Sequence, residues 1–218
     1  MLPTAPWQAL AAGAGRDVEL IAGHTRDEFR LFMAFGGQLG KIGDDQAASA
    51  LHVFGPGPDA ERRYREGFPG APAERLYELV QSDWLFRMPA LRLTEAQIAG
   101  GGRAHMYELT WQAPGNGGVI GAGHGLDGPL VFGTFDMRLG PLLLGPAPTA
   151  DAVELSTRLR TAWTAFATTG EPGWPRYDAR QRLVQVFDSP SEVAVYPEEV
   201  SRRIWQDHTF APLPLLEA

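Results

Sequence analysis

Short apolar runs of strand length recur along this chain with helical stretches between them, and that alternation restricts the fold more than any other feature. Val18-Glu19-Leu20-Ile21-Ala22-Gly23 reads as a buried strand that stops at a glycine. His24 to Glu28 then reads as a turn, and Phe29, Leu31, Phe32, Met33 and Phe35 as a short apolar helix ended by Gly36-Gly37. Residues 44–54 and 59–66 read as two short helices parted by Gly55-Pro56-Gly57-Pro58. Pro72 can open a longer helix to about Trp84, and another runs from Leu85 to Ile98 with a kink expected near Pro89. Ala104 to Trp111 alternates as a strand, with Tyr107, Leu109 and Trp111 on one face. A glycine-rich loop covers Pro114 to Gly128, and Leu130-Val131-Phe132 reads as a short extended or turn segment. Ala152 to Ala167 is expected to be a helix, Leu183 to Phe187 and Val193 to Val195 short strands, and Val200 to Asp207 a last helix.

Strands separated by helices imply a mainly parallel sheet, normally covered on both faces. The expected class is therefore α/β, with about three mainly parallel core strands flanked by helices and a helical region at about 44–100 between the first two strands. So few strands with so much helix look like one end of a larger sheet. The net charge of −7 argues against nucleic acid as a partner, because phosphate binding needs a basic patch. No window of about 18 apolar residues is present, so no membrane span is expected. The absence of cysteine excludes disulfides, thiolate nucleophiles and Cys-based zinc sites, and fits a reducing compartment such as the cytoplasm. Met1-Leu2-Pro3-Thr4 lacks the basic and apolar regions of a signal peptide.

Two segments carry chemistry. In Gly23-His24-Thr25-Arg26-Asp27-Glu28 a carboxylate lies just past a buried strand, where open α/β sheets face their ligands. The plainer alternative is that Asp27 and Glu28 only cap a helix. In Gly121-Ala122-Gly123-His124-Gly125-Leu126-Asp127 small neighbours leave His124 able to approach another group, and histidine titrates where a general base must. The alternative is a surface-loop histidine without a task. Gly123 to Gly128 also fits G-x-G-x-x-G, but that motif must open a helix, and a β-like run is expected after Pro129. His24, His52, His105 and His208 lack metal-ligand spacing, and no metal or organic cofactor is expected. None of the serines at 49, 82, 156, 189, 191 and 201 lies in G-x-S-x-G, so no nucleophile elbow is recognisable, and no His-Gly-Gly stretch offers an oxyanion hole.

Gly23 to Glu28 resembles the segment of type-B carboxylesterases (para-nitrobenzyl esterases, cholinesterases) that carries the triad glutamate, with Phe29 where that family usually has glycine. Gly121 to Gly133 resembles the segment with the triad histidine, with Asp127 where a glutamate is common. Trp163-Thr164-Ala165-Phe166-Ala167, Gly170-Glu171-Pro172 and Trp174-Pro175-Arg176-Tyr177 resemble the family's C-terminal helix and the loop after it. Ser82 to Ala90 resembles a further family stretch. The resemblance covers nearly the whole chain in order. It implies the C-terminal portion of an α/β-hydrolase fold, with residues 1–218 a part of such a domain.

By the same resemblance, Glu28 and His124 take the triad positions of acid and base. α/β-hydrolases run serine, acid, histidine along the chain, so the serine is expected before Met1. The implied function is the C-terminal portion of a carboxylic ester hydrolase acting on small-molecule esters when complete, and inactive alone. A non-catalytic module that kept the fold and one half of a two-chain hydrolase stand as alternatives. An open sheet edge would favour a homo-oligomer or pairing with an N-terminal half.

Overall fold

The computed structural model describes residues 4–210. The Met1-Leu2-Pro3 opening, expected not to be a leader, lies outside them. Four strands form one sheet in the order β1 (Glu19–Thr25), β2 (Arg103–Leu109), β3 (Leu183–Phe187) and β4 (Glu192–Val195). β1 pairs with β2 and β2 with β3 in parallel, while β4 turns back antiparallel on β3. The sheet is therefore mixed, its parallel part being the three strands separated by helices.

Among the described residues ten α-helices accompany the sheet: α1 (Pro6–Ala11), α2 (Arg30–Phe35), α3 (Asp44–Phe54), α4 (Ala60–Gly67), α5 (Ala73–Ser82), α6 (Met88–Ala99), α7 (Asp127–Phe132), α8 (Gly140–Leu144), α9 (Ala150–Thr169) and α10 (Glu199–Trp205). The period-2 alternation of β2 sorts them into two layers. Tyr107, Leu109 and Phe187 face one core with Leu130 of α7, Leu143 of α8 and Leu155 and Leu159 of α9. Met106, Val184 and Val186 face the other, with Leu51, Tyr64, Leu76, Leu91 and Trp205 from α3, α4, α5, α6 and α10. Both faces are thus covered, as a parallel sheet requires. β1 has one hydrogen-bonded neighbour among the described residues, so its other edge is open.

Several expectations change. β1 runs through His24 and Thr25, which were expected in a turn. Leu130-Val131-Phe132 is not extended: it completes α7, which Asp127 starts and Gly133 ends at φ 66°. Leu130 and Val131 of α7 pack on the same core as Leu155 and Leu159, four apart on α9, and a run as short as 130–132 gives no period to distinguish helix from strand. A helix therefore does follow Gly123–Gly128. The dinucleotide reading fails on different ground, because β2 ends at Leu109 and a long loop, not a strand, precedes the glycines. α1 and α8, too short to show a pattern, were not expected. The irregularity assigned to Pro89 falls just before it, as a π-helical turn at Asp83–Arg87. A proline ring crowds the carbonyl four residues earlier, here Leu85, and the wider turn relieves that contact.

Candidate active site

β1 delivers the acid. Its last residue pairs with Leu109, and the Arg26 amide continues the ladder by donating to the Leu109 carbonyl at 2.9 Å. The chain then turns, and Glu28 folds back so that its Oε1 accepts the Thr25 amide at 2.8 Å. Glu28 is buried, with its other oxygen free for a partner from elsewhere.

That partner is His124. Its Nδ1 lies 2.7 Å from Glu28 Oε2, across 96 residues of chain. A carboxylate only accepts, so Nδ1 carries the proton and Nε2 keeps its lone pair. The imidazole side chain is 40% exposed, whereas that of Glu28 is 6% exposed, so the pair presents its histidine outward. The hydrogen bond that His124 donates to Glu28 raises the His124 pKa above the ordinary histidine value. Burial opposes this, and the charges of Glu28 and Asp127 reinforce it. The folded state therefore binds the His124 proton more tightly than the unfolded chain. The stability from this pairing is fully present below the ordinary histidine pKa and is lost as pH rises through the raised one.

Asp27 holds the two loops together. Its amide donates to the Ala122 carbonyl at 2.9 Å, its Oδ2 accepts the Ala122 amide at 3.0 Å, and Asp27 and Gly123 form a parallel bridge. Burial works to raise the Asp27 pKa, but Arg26, the Ala122 amide and Arg75 outweigh it and hold the carboxyl below its usual range. Gly121 sits at φ +64°, and a Cβ there would lie 2.6 Å from Asp27 Oδ2, so the crossing needs glycine. Behind His124, Asp127 accepts the Tyr107 hydroxyl at 2.8 Å. The Tyr107 ring crosses β1 at Gly23, where a Cβ would come within 2.3 Å of it.

Two aromatic rings, stacked on each other at 5.9 Å, pack against the imidazole: Phe86 at 4.6 Å and Phe32 at 5.2 Å between centroids. Phe35, Leu85 and Phe132, on neighbouring elements, are exposed. A groove of about 410 Å³ beside α1 and α6, and one of about 570 Å³ beside α9 and β3, both lie away from the Glu28–His124 pair. Among the described residues no three His, Asp or Glu side chains converge to hold a metal ion.

Beneath the acid turn, on the other face of the sheet, lies a buried charged cluster. His24 and Glu108 are register partners on β1 and β2. Burial, then Arg87, push His24 down to about 4, so it is neutral at pH 7, and its Nε2 lies 3.1 Å from the Tyr196 hydroxyl. Burial, then Glu198, push Glu108 well above the carboxylate range. Burial acts most strongly and would raise Glu198, but Arg87, His24, the hydrogen bond with Glu108 and Arg75 together outweigh it and keep that carboxyl low.

The structure brings Glu28 and His124 together. Sequence reasoning missed Asp27 as the link between the loops, Tyr107 behind Asp127, and Ser82, whose Oγ accepts the Phe29 amide at 3.0 Å. Those partners lie 95, 20 and 53 residues apart, with no spacing signal.

The chain is similar to the para-nitrobenzyl esterase of Bacillus subtilis (strain 168), with 30% identity over 208 residues, 93% of this chain and 40% of that protein. It is similar to the phenmedipham hydrolase of Pseudarthrobacter oxydans at 29% identity, over 92% of this chain and 42% of the relative. Among solved structures, Geobacillus stearothermophilus carboxylesterase EST55 superposes with a TM-score of 0.79 at 28% identity, covering 94% of this chain and 44% of that one. No protein-family model matches the chain. It spans about two fifths of the length of these curated relatives.

Proposed function

We propose that this chain, which corresponds to the C-terminal part of a type-B carboxylesterase of the α/β-hydrolase superfamily, supplies the base and the orienting acid of a serine ester hydrolase. The observation that carries the reading is the 2.7 Å contact between Glu28 and the Nδ1 of a half-exposed His124. In such a reaction the serine hydroxyl attacks the ester carbonyl while His124 Nε2 takes its proton. The same nitrogen then protonates the departing alcohol, and water repeats the cycle on the acyl-enzyme. Glu28 fixes the tautomer and stabilises the imidazolium. The serine and the oxyanion donors come from outside this chain, as do the walls that would form a substrate pocket. The titration of the His124 C2 proton tests the pairing. Glu28→Gln is expected to lower the His124 pKa by about 1 unit or more, and an unchanged pKa contradicts the assignment.

The open edge of β1, and the exposed apolar side chains of Phe35, Leu85 and Phe132, favour a protein partner. That partner is an N-terminal, serine-bearing half or, in its absence, a second copy of this chain. Sedimentation at micromolar concentration reads the second case: a dimer or larger species supports it, and a monomer contradicts it.

A further inference from the structure

We infer that the segment Ser82–Arg87 is the cradle that positions the acid, with Arg87 and Ser82 holding the two ends of the Asp27–Glu28 dipeptide. This rests on the reading of Glu28 and His124 as an acid–base pair. Arg87 Nη2 donates to the Arg26 carbonyl at 2.6 Å, on one side of the dipeptide. Ser82 Oγ accepts the Phe29 amide at 3.0 Å, on the other. The residue between the strand end and α2 that must aim at His124 is thus gripped before and after by one short segment.

The grip is built into the core. Arg87 is fully buried, and its Nη1 donates to Asp83 Oδ1 at 2.8 Å and to Glu198 Oε2 at 3.2 Å. Asp83 Oδ2 accepts the Tyr64 hydroxyl at 2.7 Å, and the Tyr64 oxygen accepts Trp205 Nε1 at 2.7 Å. A continuous chain of hydrogen bonds therefore ties α10 and α4 to the carbonyl that precedes the acid. A guanidinium suits this hub because its planar fork serves several acceptors at once, which an ammonium cannot do in the same geometry.

The π-helical turn explains how one segment serves both members of the pair. The Met88 amide reaches back five residues to the Asp83 carbonyl, the bond that defines the wider turn. Arg87 faces the core, while the preceding Phe86 packs on the His124 ring at 4.6 Å. Ser82, Phe86 and Arg87 so touch the acid turn on both flanks and the base on its face. Arg87 and Ser82 are positioning residues, since neither reaches the reacting atoms.

Amide hydrogen exchange in the chain as it stands tests this. The reporter is the Thr25 amide, whose acceptor is Glu28 Oε1. Arg87→Lys and Ser82→Ala are each expected to speed exchange at Thr25 by roughly tenfold or more, the loss of one hydrogen bond to a buried group, and to weaken the Nδ1 proton resonance of His124. Amides in the middle of β2 and β3 keep their protection. Tyr64→Phe, which breaks the chain behind Asp83 but keeps both direct grips on the dipeptide, speeds exchange at Thr25 less than either Arg87→Lys or Ser82→Ala. Should Arg87→Lys not fold, Ser82→Ala reads the grip by itself. Wild-type exchange at Thr25 in the folded variants, or acceleration only in step with the whole sheet, overturns the proposal. A wild-type chain with neither a protected Thr25 amide nor a His124 Nδ1 resonance overturns the acid–base pair itself, before any variant is made.

Discussion

Assayed alone with a short-chain nitrophenyl ester, the chain is expected to turn over no faster than free imidazole. His124 and Glu28 are in place, but on the reading proposed above the hydroxyl they would activate comes from elsewhere. Ser82 is buried with its oxygen engaged by the Phe29 amide, and Ser156 donates to the Leu130 carbonyl. Ser191 donates to the Asp188 carbonyl, and Ser201 is buried on α10. Among the described residues no serine hydroxyl hydrogen-bonds His124. Removing the nucleophile from a triad costs on the order of 10⁶ in kcat, and the oxyanion donors that would sustain a residue of activity are not recognisable here either. Initial-rate assays with and without a fluorophosphonate give the answer. Fast turnover that the reagent abolishes would mean that a serine of this chain is the nucleophile, and the division of labour proposed above would be wrong.

Replacing Arg87 by methionine is expected to lower the free energy of unfolding by about 3–5 kcal/mol, the usual consequence of breaking a fully buried ion pair from one side. Methionine keeps most of the volume, so the loss is electrostatic. Asp83 and Glu198 would face each other's surroundings with no cation, and the Arg26 carbonyl would lose its donor. Burial already holds Asp83 above the usual carboxylate range, with Arg87 opposing it. Without the guanidinium that carboxyl would take up a proton, so the deficit should shrink as the pH is lowered. Urea unfolding of the two proteins at pH 5 and pH 8 measures both effects. A loss below about 1 kcal/mol, the scale of an exposed pair, would show that the cluster contributes little to the fold.

The layers of this fold are legible in the sequence because they depend on period. Met106 and Val184 against Tyr107 and Leu109 follow from alternation alone, and the long helix α9 carries its own punctuation. Thr149 accepts the Ala152 amide, and Gly170 closes the helix at φ 78°. Segments shorter than two turns carry no such period. That is why α1 and α8 pass unnoticed and why Leu130-Val131-Phe132 is mistaken for an extended run. The candidate site divides the same way. Glu28 and His124 are singled out by type, by small neighbours and by resemblance to known esterase segments. What fixes them in space is contact between distant residues: Asp27 with Ala122, Ser82 with Phe29, Arg87 with Arg26. Asp27 has a plainer reading as a helix cap, and only the folded chain chooses between the two. The buried ionisable cluster of Arg87, Asp83, Glu108 and Glu198 is equally hidden, since buried ionisable groups run against composition and are identified by their partners.

The most direct measurement is the proton spectrum of His124 in the intact chain at neutral pH. An imidazole Nδ1–H held by the Glu28 carboxylate is predicted to give a resolved, far-downfield resonance that exchanges slowly with water, persists as the pH is lowered, and is lost in Glu28→Gln. A His124 whose Nδ1 proton exchanges too fast to be seen, and whose C2 proton titrates identically with and without Glu28, would contradict the pairing.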